Sequence, residues 1–206
     1  MKSTQIARKT LLAAAVAAAT VSAGQLSAAQ IEEIIVTTQK REQSLQDVPL
    51  SVSAFTGSFM KKAQISDAKA VALLTPGVSG DTDDSFLDSI NVRGISTNDF
   101  GVGAEPSIGV YQDGIYLGRT GGALSSFFDL QMVEVVKGPQ GTLFGRNASA
   151  GAISVTTAKP TGDQGGSIDV GLGQDGYVST TGVINMPIND NWSSRMAVHH
   201  QQKDGW

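Results

Sequence analysis

The chain has no cysteine. That excludes a disulfide framework, a thiolate metal site and a cysteine nucleophile. Histidine is nearly absent too, with only His199 and His200. Neighbours on a strand point to opposite faces and cannot share a metal, so no histidine-based catalytic or zinc cluster is available. Charge is sparse, at 17% Asp, Glu, Lys and Arg, and its sign is negative: 19 acidic against 15 basic residues give −4. That balance argues against nucleic acid as a partner. Aromatic residues make up 6%. No stretch reaches about 18 consecutive apolar residues, so no transmembrane helix is expected; if this chain meets a membrane, it does so as strands. Glycine, by contrast, is plentiful (24 of 206 residues), which with abundant Ser and Thr suits a turn-rich β protein. The length suffices to bury a sizeable core.

The N-terminus reads as a targeting segment. Lys2, Arg8 and Lys9 precede the apolar run Leu11 to Val21, and small residues follow at Val21-Ser22-Ala23 and Ser27-Ala28-Ala29. A basic n-region, a short apolar core and small residues at the cleavage site define a secretory signal peptide. Cleavage after Ala29 is expected, which removes three basic and no acidic residues and leaves an exported, more acidic chain.

Residues 30–47 read as an exposed extended arm in which Ile34 to Thr38 is a short β-prone run. Such a run either adds to another protein's sheet edge or forms an ordinary first strand. Residues 48–160 read as one compact α+β domain. Its expected elements are a strand over Leu50 to Phe55, then helix from Ser58 to Leu74 broken near Ile65, with Ser66 as a cap and Pro76-Gly77 as a stop. Ile90 to Gly94 is a short strand, Ile108 to Leu117 a hairpin around Asp113-Gly114, and Ala123 to Phe128 a short helix. Strands over Val133 to Lys137 and Ala152 to Ala158 flank a turn or helical segment at Leu143 to Ala150. Tyr111, Tyr116, Phe127 and Phe128 are expected in the core. From Thr161 the pattern changes to strands of about ten residues with short polar turns. Val178, Ile184 and Met186 share one face, as do Trp192, Met196 and Val198, in the manner of a transmembrane β-barrel or of a soluble meander. Three strands cannot close a barrel, so either the chain is a fragment or its last segment is not a membrane strand.

Several motifs fail as chemistry. Asp81, Asp83, Asp84 and Asp88 could offer oxygen ligands to Ca²⁺, but Phe86 stands where an EF-hand needs Gly and Val92 where it needs Glu, so a solvated acidic loop is favoured. Gly138, Gly141 and Gly145 lack Walker spacing, and Arg146 is followed by Asn147. Gly101-x-Gly103 meets Pro106 where a dinucleotide fingerprint needs its third glycine. Ser149 has no nucleophile elbow, and the S-x-x-K matches at Ser58 and Ser66 lack their partner motifs. No catalytic set, metal site or cofactor is expected, which disfavours a secreted enzyme.

The ordered motifs resemble the TonB-dependent outer-membrane receptors of Gram-negative bacteria over nearly the whole exported chain. Glu33-Ile-Ile-Val-Thr-Thr38 resembles the TonB box, and Gln43-Ser-Leu-Gln-Asp-Val-Pro49 with Leu50 to Phe55 resembles the entry strand of the plug. Asn91-Val-Arg-Gly94, Val110-Tyr-Gln-Asp-Gly-Ile-Tyr116, Val133-Glu-Val-Val-Lys-Gly-Pro-Gln-Gly-Thr-Leu-Phe-Gly-Arg146 and Gly151-Ala-Ile-Ser-Val155 resemble the later plug signatures.

The resemblance implies an α+β plug domain, a mixed sheet with short helices, followed by the first antiparallel strands of a transmembrane β-barrel. It divides the chain into signal peptide (1–29), arm with TonB box (30–47), plug (48–160) and the start of the barrel (161–206). It implies energised uptake of a scarce ligand, a small molecule or metal chelate such as an iron siderophore, across the outer membrane. TonB would pair with Glu33, Ile34, Ile35, Val36, Thr37 and Thr38 in the periplasm, and barrel strands would face outer-membrane lipid. With 18 residues between cleavage site and plug, no extra signalling domain is expected ahead of it. Ligand contacts are expected in the outward loops at Asp81, Asp83, Asp84, Thr97, Asn98 and Asp99. Arg93 and Arg146 would lock the plug by pairing with Glu134 or with barrel carboxylates. The competing possibility is a freestanding periplasmic binding module built on a plug-like fold.

Overall fold

Val133, Val135 and Val136, with Glu134 among them, are all fully buried. A β-branched run that is buried on both faces belongs in the interior of a sheet, and that is where it lies. The computed structural model describes residues 33–65, 67, 70, 71, 74–80, 90–96, 105–118 and 128–205. In chain order the elements are β1 (Ile35–Val36), β2 (Gln43–Ser44), β3 (Ser51–Thr56), α1 (Gly57–Lys62), β4 (Val78–Ser79), β5 (Asn91–Val92), β6 (Ile108–Gln112), β7 (Ile115–Tyr116), β8 (Leu130–Lys137), α2 (Gly141–Phe144), β9 (Gly151–Thr157), β10 (Gly165–Leu172), β11 (Val178–Asn189) and β12 (Trp192–Gln202). Among them no helix is long and apolar enough to cross a membrane. Residues 34–206 form one compact unit; of residues 1–33, a separate unit, only Glu33 is described.

The central sheet has the order β3-β8-β9-β6-β7. β8 is antiparallel to both β3 and β9, while β6 runs parallel to β9. The sheet is therefore mixed, as expected. One face packs Val133, Val135, Ile153, Val155, Ile108 and Val110 against Met60, Ile65, Val71, Ile90 and Val92. By strand alternation the other face carries Glu134, Val136, Ala152 and Tyr111, also buried. Gly151 is required here, because a Cβ on it would collide with the Val136 carbonyl of the neighbouring strand.

Local signals set the shorter elements. Thr56 caps α1, its hydroxyl accepting from Phe59 N–H at 3.3 Å, and Lys61 and Lys62 occupy the last turn where cations favour the helix dipole. The break expected near Ile65 is a Schellman turn: Gln64 is left-handed (φ 54°) and Ile65 N–H donates to Met60 O at 2.9 Å. Helix resumes at residues 70, 71 and 74. The side chain that caps it is Asp67, whose carboxylate accepts from Ala70 N–H at 2.8 Å; Ser66, the expected cap, lies outside the described residues. The β6–β7 hairpin turns at Asp113 and Gly114, both left-handed (φ 49° and 83°), which is the two-residue turn that the Asp-Gly pair favours.

β10, β11 and β12 form an open antiparallel sheet: β10 pairs with β11 from Gly165 opposite Asn185 to Leu172 opposite Val178, and β11 with β12 from Val178 opposite Gln202 to Asn189 opposite Trp192, with a register shift between Pro187 and Asn189. One face is apolar and exposed, with Ile168, Leu172, Ile184, Met186, Met196 and Val198 all in the open. The two groupings expected from the sequence, Val178 with Ile184 and Met186, and Trp192 with Met196 and Val198, lie on this face. The opposite face carries Asp169, Asn185, Arg195 and His199. Asn185, itself buried, fastens the incoming chain: its amide nitrogen donates to Thr161 O (3.0 Å) and Thr161 Oγ1 (2.8 Å), and its oxygen accepts from Thr161 N–H (3.0 Å).

Two expectations are corrected. The arm is not an exposed extended strand, nor does it join the central sheet. Its described part folds into the β1–β2 hairpin, with Val36 and Thr38 buried. Phe128 is not in the core: it is 40% exposed and stacks on His199 of β12, ring centres 5.5 Å apart.

Candidate functional site

Among the described residues Glu134 is the one acidic side chain that is buried, and it is completely inaccessible. A buried carboxylate needs donors or it is very costly. The donors come from the arm. Thr37 N–H donates to Oε1 at 2.6 Å, Thr37 Oγ1 to Oε2 at 3.1 Å, and Thr38 Oγ1 to Oε1 at 3.1 Å. The sequence separation is 97 residues for Thr37, so this contact ties the β1 segment to the middle of the central sheet. A second contact lies alongside: Lys40 Nζ sits over the Phe144 ring, 5.9 Å from its centre.

The expected lock of Arg93 and Arg146 on Glu134 does not form. Among the described residues, Glu134 takes its hydrogen bonds from the two threonines and from neither arginine. Arg93 is an exposed left-handed residue (φ 54°) whose N–H donates to Gly77 O at 2.9 Å and whose guanidinium lies beside the Gly138 turn. Arg146 pairs with Glu105 at 3.1 Å, both largely exposed, and such a pair is worth little. The physical reason is reach: both arginines sit in surface turns, whereas the Glu134 carboxylate points into a dry face already closed by the arm.

The contact that bridges the two sheets was not foreseen. Asp129, left-handed (φ 52°) and immediately ahead of β8, accepts from Arg195 of β12 at both carboxylate oxygens, Nε to Oδ2 at 2.7 Å. The side chains are only 14% and 21% exposed, and two parallel bonds from a guanidinium are the strong form of this pair. The Asp129 carbonyl also accepts from Ala158 N–H at 2.9 Å, anchoring it to the end of β9. A cavity of about 450 Å³ opens beside the pair, lined by Gln112, Phe128, Leu130, Thr157 and Ala197 among others. A further bridge, Lys61 to Asp169 at 2.6 Å, is exposed and weak.

Tyr111 closes the far end of the Glu134 face. Its hydroxyl donates to Phe144 O at 2.8 Å, and its ring packs on Phe144 and Tyr116. Burial pushes its ionisation up, and the neighbouring Tyr116 adds to this.

One signal for Glu134 was legible, since a single carboxylate within Val133 to Val136 must find donors. Nothing in the sequence linked it to Thr37 and Thr38, or Asp129 to Arg195. The remaining expected site residues, Asp81, Asp83, Asp84, Thr97, Asn98 and Asp99, lie outside the described residues, as do the signal peptide, Phe127 and most of the Ala123 to Phe128 segment. Glu33 is exposed. No cluster of His, Cys, Asp or Glu among the described residues could hold a metal.

The family profile of the TonB-dependent Receptor Plug Domain matches residues 44–152. The pesticin receptor of Yersinia pestis is 30% identical over 169 residues, covering 78% of this chain and 24% of that protein. The vitamin B12 transporter BtuB of Vibrio vulnificus is 28% identical over 179 residues, covering 82% of this chain and 28% of that protein. The chain thus spans about a quarter of the length of these relatives. Two solved structures share the fold. One is the ferripyoverdine receptor of the outer membrane of Pseudomonas aeruginosa (TM-score 0.70, 22% identity, covering 82% of this chain and 22% of that one). The other is the ferric yersiniabactin uptake receptor FyuA of Yersinia pestis (TM-score 0.67, 24% identity, covering 74% and 24%).

Proposed function

This chain belongs to the TonB-dependent receptor family of the Gram-negative outer membrane, and from that premise we propose that it carries the energy-coupling arm, the plug and the first wall strands of a receptor that imports a scarce small molecule or metal chelate. Residues 1–29 are the export signal, Glu33 to Thr38 the TonB-pairing segment, residues 48–160 the plug and 161–206 the start of the barrel. Asp81, Asp83, Asp84, Thr97, Asn98 and Asp99 contact the ligand. The related proteins are receptors and transporters, and no enzymatic step enters this proposal.

One observation carries it: strand β8 is fastened at Glu134 to the arm and, just before its first residue, at Asp129 to the wall. Tension applied to Ile34–Thr38 from the periplasm passes through the threonine–carboxylate contact into β8, and along β8 to the Asp129–Arg195 pair. A plug built this way delivers a pull on the arm to the place where plug and wall are joined. The exposed apolar face of β10–β12 disfavours the freestanding periplasmic module, since so large an apolar patch marks a lipid or protein interface.

The test is deletion of Ile34 to Thr38 in the intact receptor. Energised uptake should be abolished and ligand binding at the cell surface retained. Normal uptake after the deletion would overturn the assignment of the arm.

A further inference from the structure

Arg195 spends only part of its guanidinium on Asp129. Nε donates to Oδ2 at 2.7 Å and one Nη2 hydrogen goes to Oδ1. The hydrogens on Nη1 and the other on Nη2 have no acceptor among the described residues. Yet the side chain is only 21% exposed, and donors shielded from water are costly unless an acceptor meets them. Arg195 lines the cavity of about 450 Å³ beside the pair. Gln112, the exposed last residue of β6, lines it too, and its side-chain amide has no partner among the described residues. Much of the remaining lining is apolar: Phe128, Leu130, Val155, Pro160 and Ala197. A few polar groups set in an apolar hollow of this size, within the range of about 300–1,000 Å³, are the usual make-up of a small-molecule site.

The turns place the cavity. β11 passes into β12 through Asp190 and Asn191 alone, whereas β10 reaches β11 through residues 173–177. Barrel strands are joined by short turns on the periplasmic side and by longer loops outside. Arg195 stands close to the short turn, so the cavity lies toward the periplasm. We propose that it is a second binding site, at the periplasmic end of the seam between plug and wall, that holds a carboxylate borne on a flat apolar part of the imported molecule. This rests on the receptor reading given above and adds to it a site and a chemical class. The two oxygens of a carboxylate lie in one plane and match the free edge of the guanidinium. Asp129 already offsets much of the Arg195 charge, which suits a singly charged group over a phosphate. Gln112 donates to a further oxygen, and Phe128 and Leu130 receive the apolar body. A pull on the arm ends at the Asp129–Arg195 pair, so a molecule passing between plug and wall meets the free edge of Arg195 where the two are joined.

The probe is para-fluorobenzoate, followed by fluorine NMR on the intact purified receptor. Wild type should bind it saturably, and para-fluorobenzyl alcohol, which lacks the carboxylate, should bind about ten-fold or more weakly. Gln112→Leu should weaken benzoate binding about two- to ten-fold, and Arg195→Lys about ten-fold or more. Ala197→Phe, which fills the cavity from β12 without touching the ion pair, should abolish it. Should Ala197→Phe not assemble, Ala197→Leu is smaller and should weaken binding in the same way. Benzoate binding unchanged in the filled variant, or equal affinity for acid and alcohol, would overturn the site. A second arm uses cells and the nutrient whose uptake is abolished by deleting Ile34 to Thr38. Ala197→Phe should slow that uptake and leave surface binding intact. A normal rate, with probe binding lost, would assign the cavity to periplasmic solutes and overturn its part in import. The receptor reading fails separately, if uptake survives the deletion of Ile34 to Thr38, whatever the probe does.

Discussion

Asp129 and Arg195 form a two-bonded ion pair across the junction of the central sheet and the β10–β12 sheet, Nε to Oδ2 at 2.7 Å, although 66 residues separate them. Each charge is mostly shielded from water. Removing one partner leaves the other partly buried and unpaired, which costs more than the pair itself is worth. Arg195→Ala should therefore loosen the plug in the wall, with a loss of about 1.5–3 kcal/mol for each charge-assisted bond removed. Arg195→Lys should recover only part of this, because an ammonium cannot reproduce the planar fork. The measurement is leakage of a large hydrophilic antibiotic through the intact receptor in the absence of ligand. Leakage equal to wild type in Arg195→Ala would mean that the pair is not a plug–wall fastening.

Tyr111 gives a pH dependence whose sign is fixed. Its ionisation in the folded state is pushed above the ordinary value of 10.0 by burial and by Tyr116. A raised value means the folded state holds its proton longer than the unfolded state does. The associated stability is complete below pH 10.0 and is lost as pH climbs from there through the folded-state value. Tyr111→Phe should make alkaline unfolding shallower in that window while lowering stability at neutral pH by about 0.5–1.5 kcal/mol, the worth of the bond to Phe144 O. Absorbance titration of tyrosinate alongside chemical unfolding checks both parts.

Most of the central sheet was legible because its signals are local. The run Val133 to Lys137 marked a strand, Asp113-Gly114 marked a two-residue turn, and the alternation through Val178, Ile184 and Met186 marked a one-sided strand. The contacts that matter for function were not legible, and for a common reason. Thr37–Glu134 and Asp129–Arg195 join residues 97 and 66 positions apart, and no periodicity carries information over that distance. The arginines expected to lock the plug were chosen for standing in recognisable motifs. Arg93 and Arg146 lie in surface turns, Arg146 on the exposed Glu105, while the arginine that grips a shielded acid sits on β12, on the face opposite Met196 and Val198. The arm misled for a related reason: its apolar residues suit strand addition, but the same residues let Val36 bury itself.

The apolar face of β10–β12 can be tested position by position. Ile184 lies near the middle of β11, opposite Met196 and Gly166. If that face meets lipid, Ile184→Lys should cost about 2–4 kcal/mol near the bilayer centre, and Ile184→Leu should be nearly silent. The amount of heat-modifiable receptor assembled in outer membranes reads this out. Equal assembly of the Lys and Leu variants would mean that the face is covered by something other than lipid.

Gly151 tests how closely β8 and β9 must approach for the arm's strand to be held. It opens β9 opposite Lys137, and a methyl group there would press into the Val136 carbonyl, a backbone atom that cannot swing aside. Gly151→Ala should therefore separate the strands locally, at about 1–3 kcal/mol. Glu134 is only three pairs along the same ladder, opposite Ser154, so the strain reaches the carboxylate that holds Thr37 and Thr38. The variant should lose plug stability and also expose the arm, seen as faster labelling of a cysteine at Val36. By contrast Gly182→Ala, in β11 with nothing near the added methyl, should leave that labelling unchanged. Stability lost without faster labelling would show that the arm's hold on Glu134 does not depend on the fit between β8 and β9.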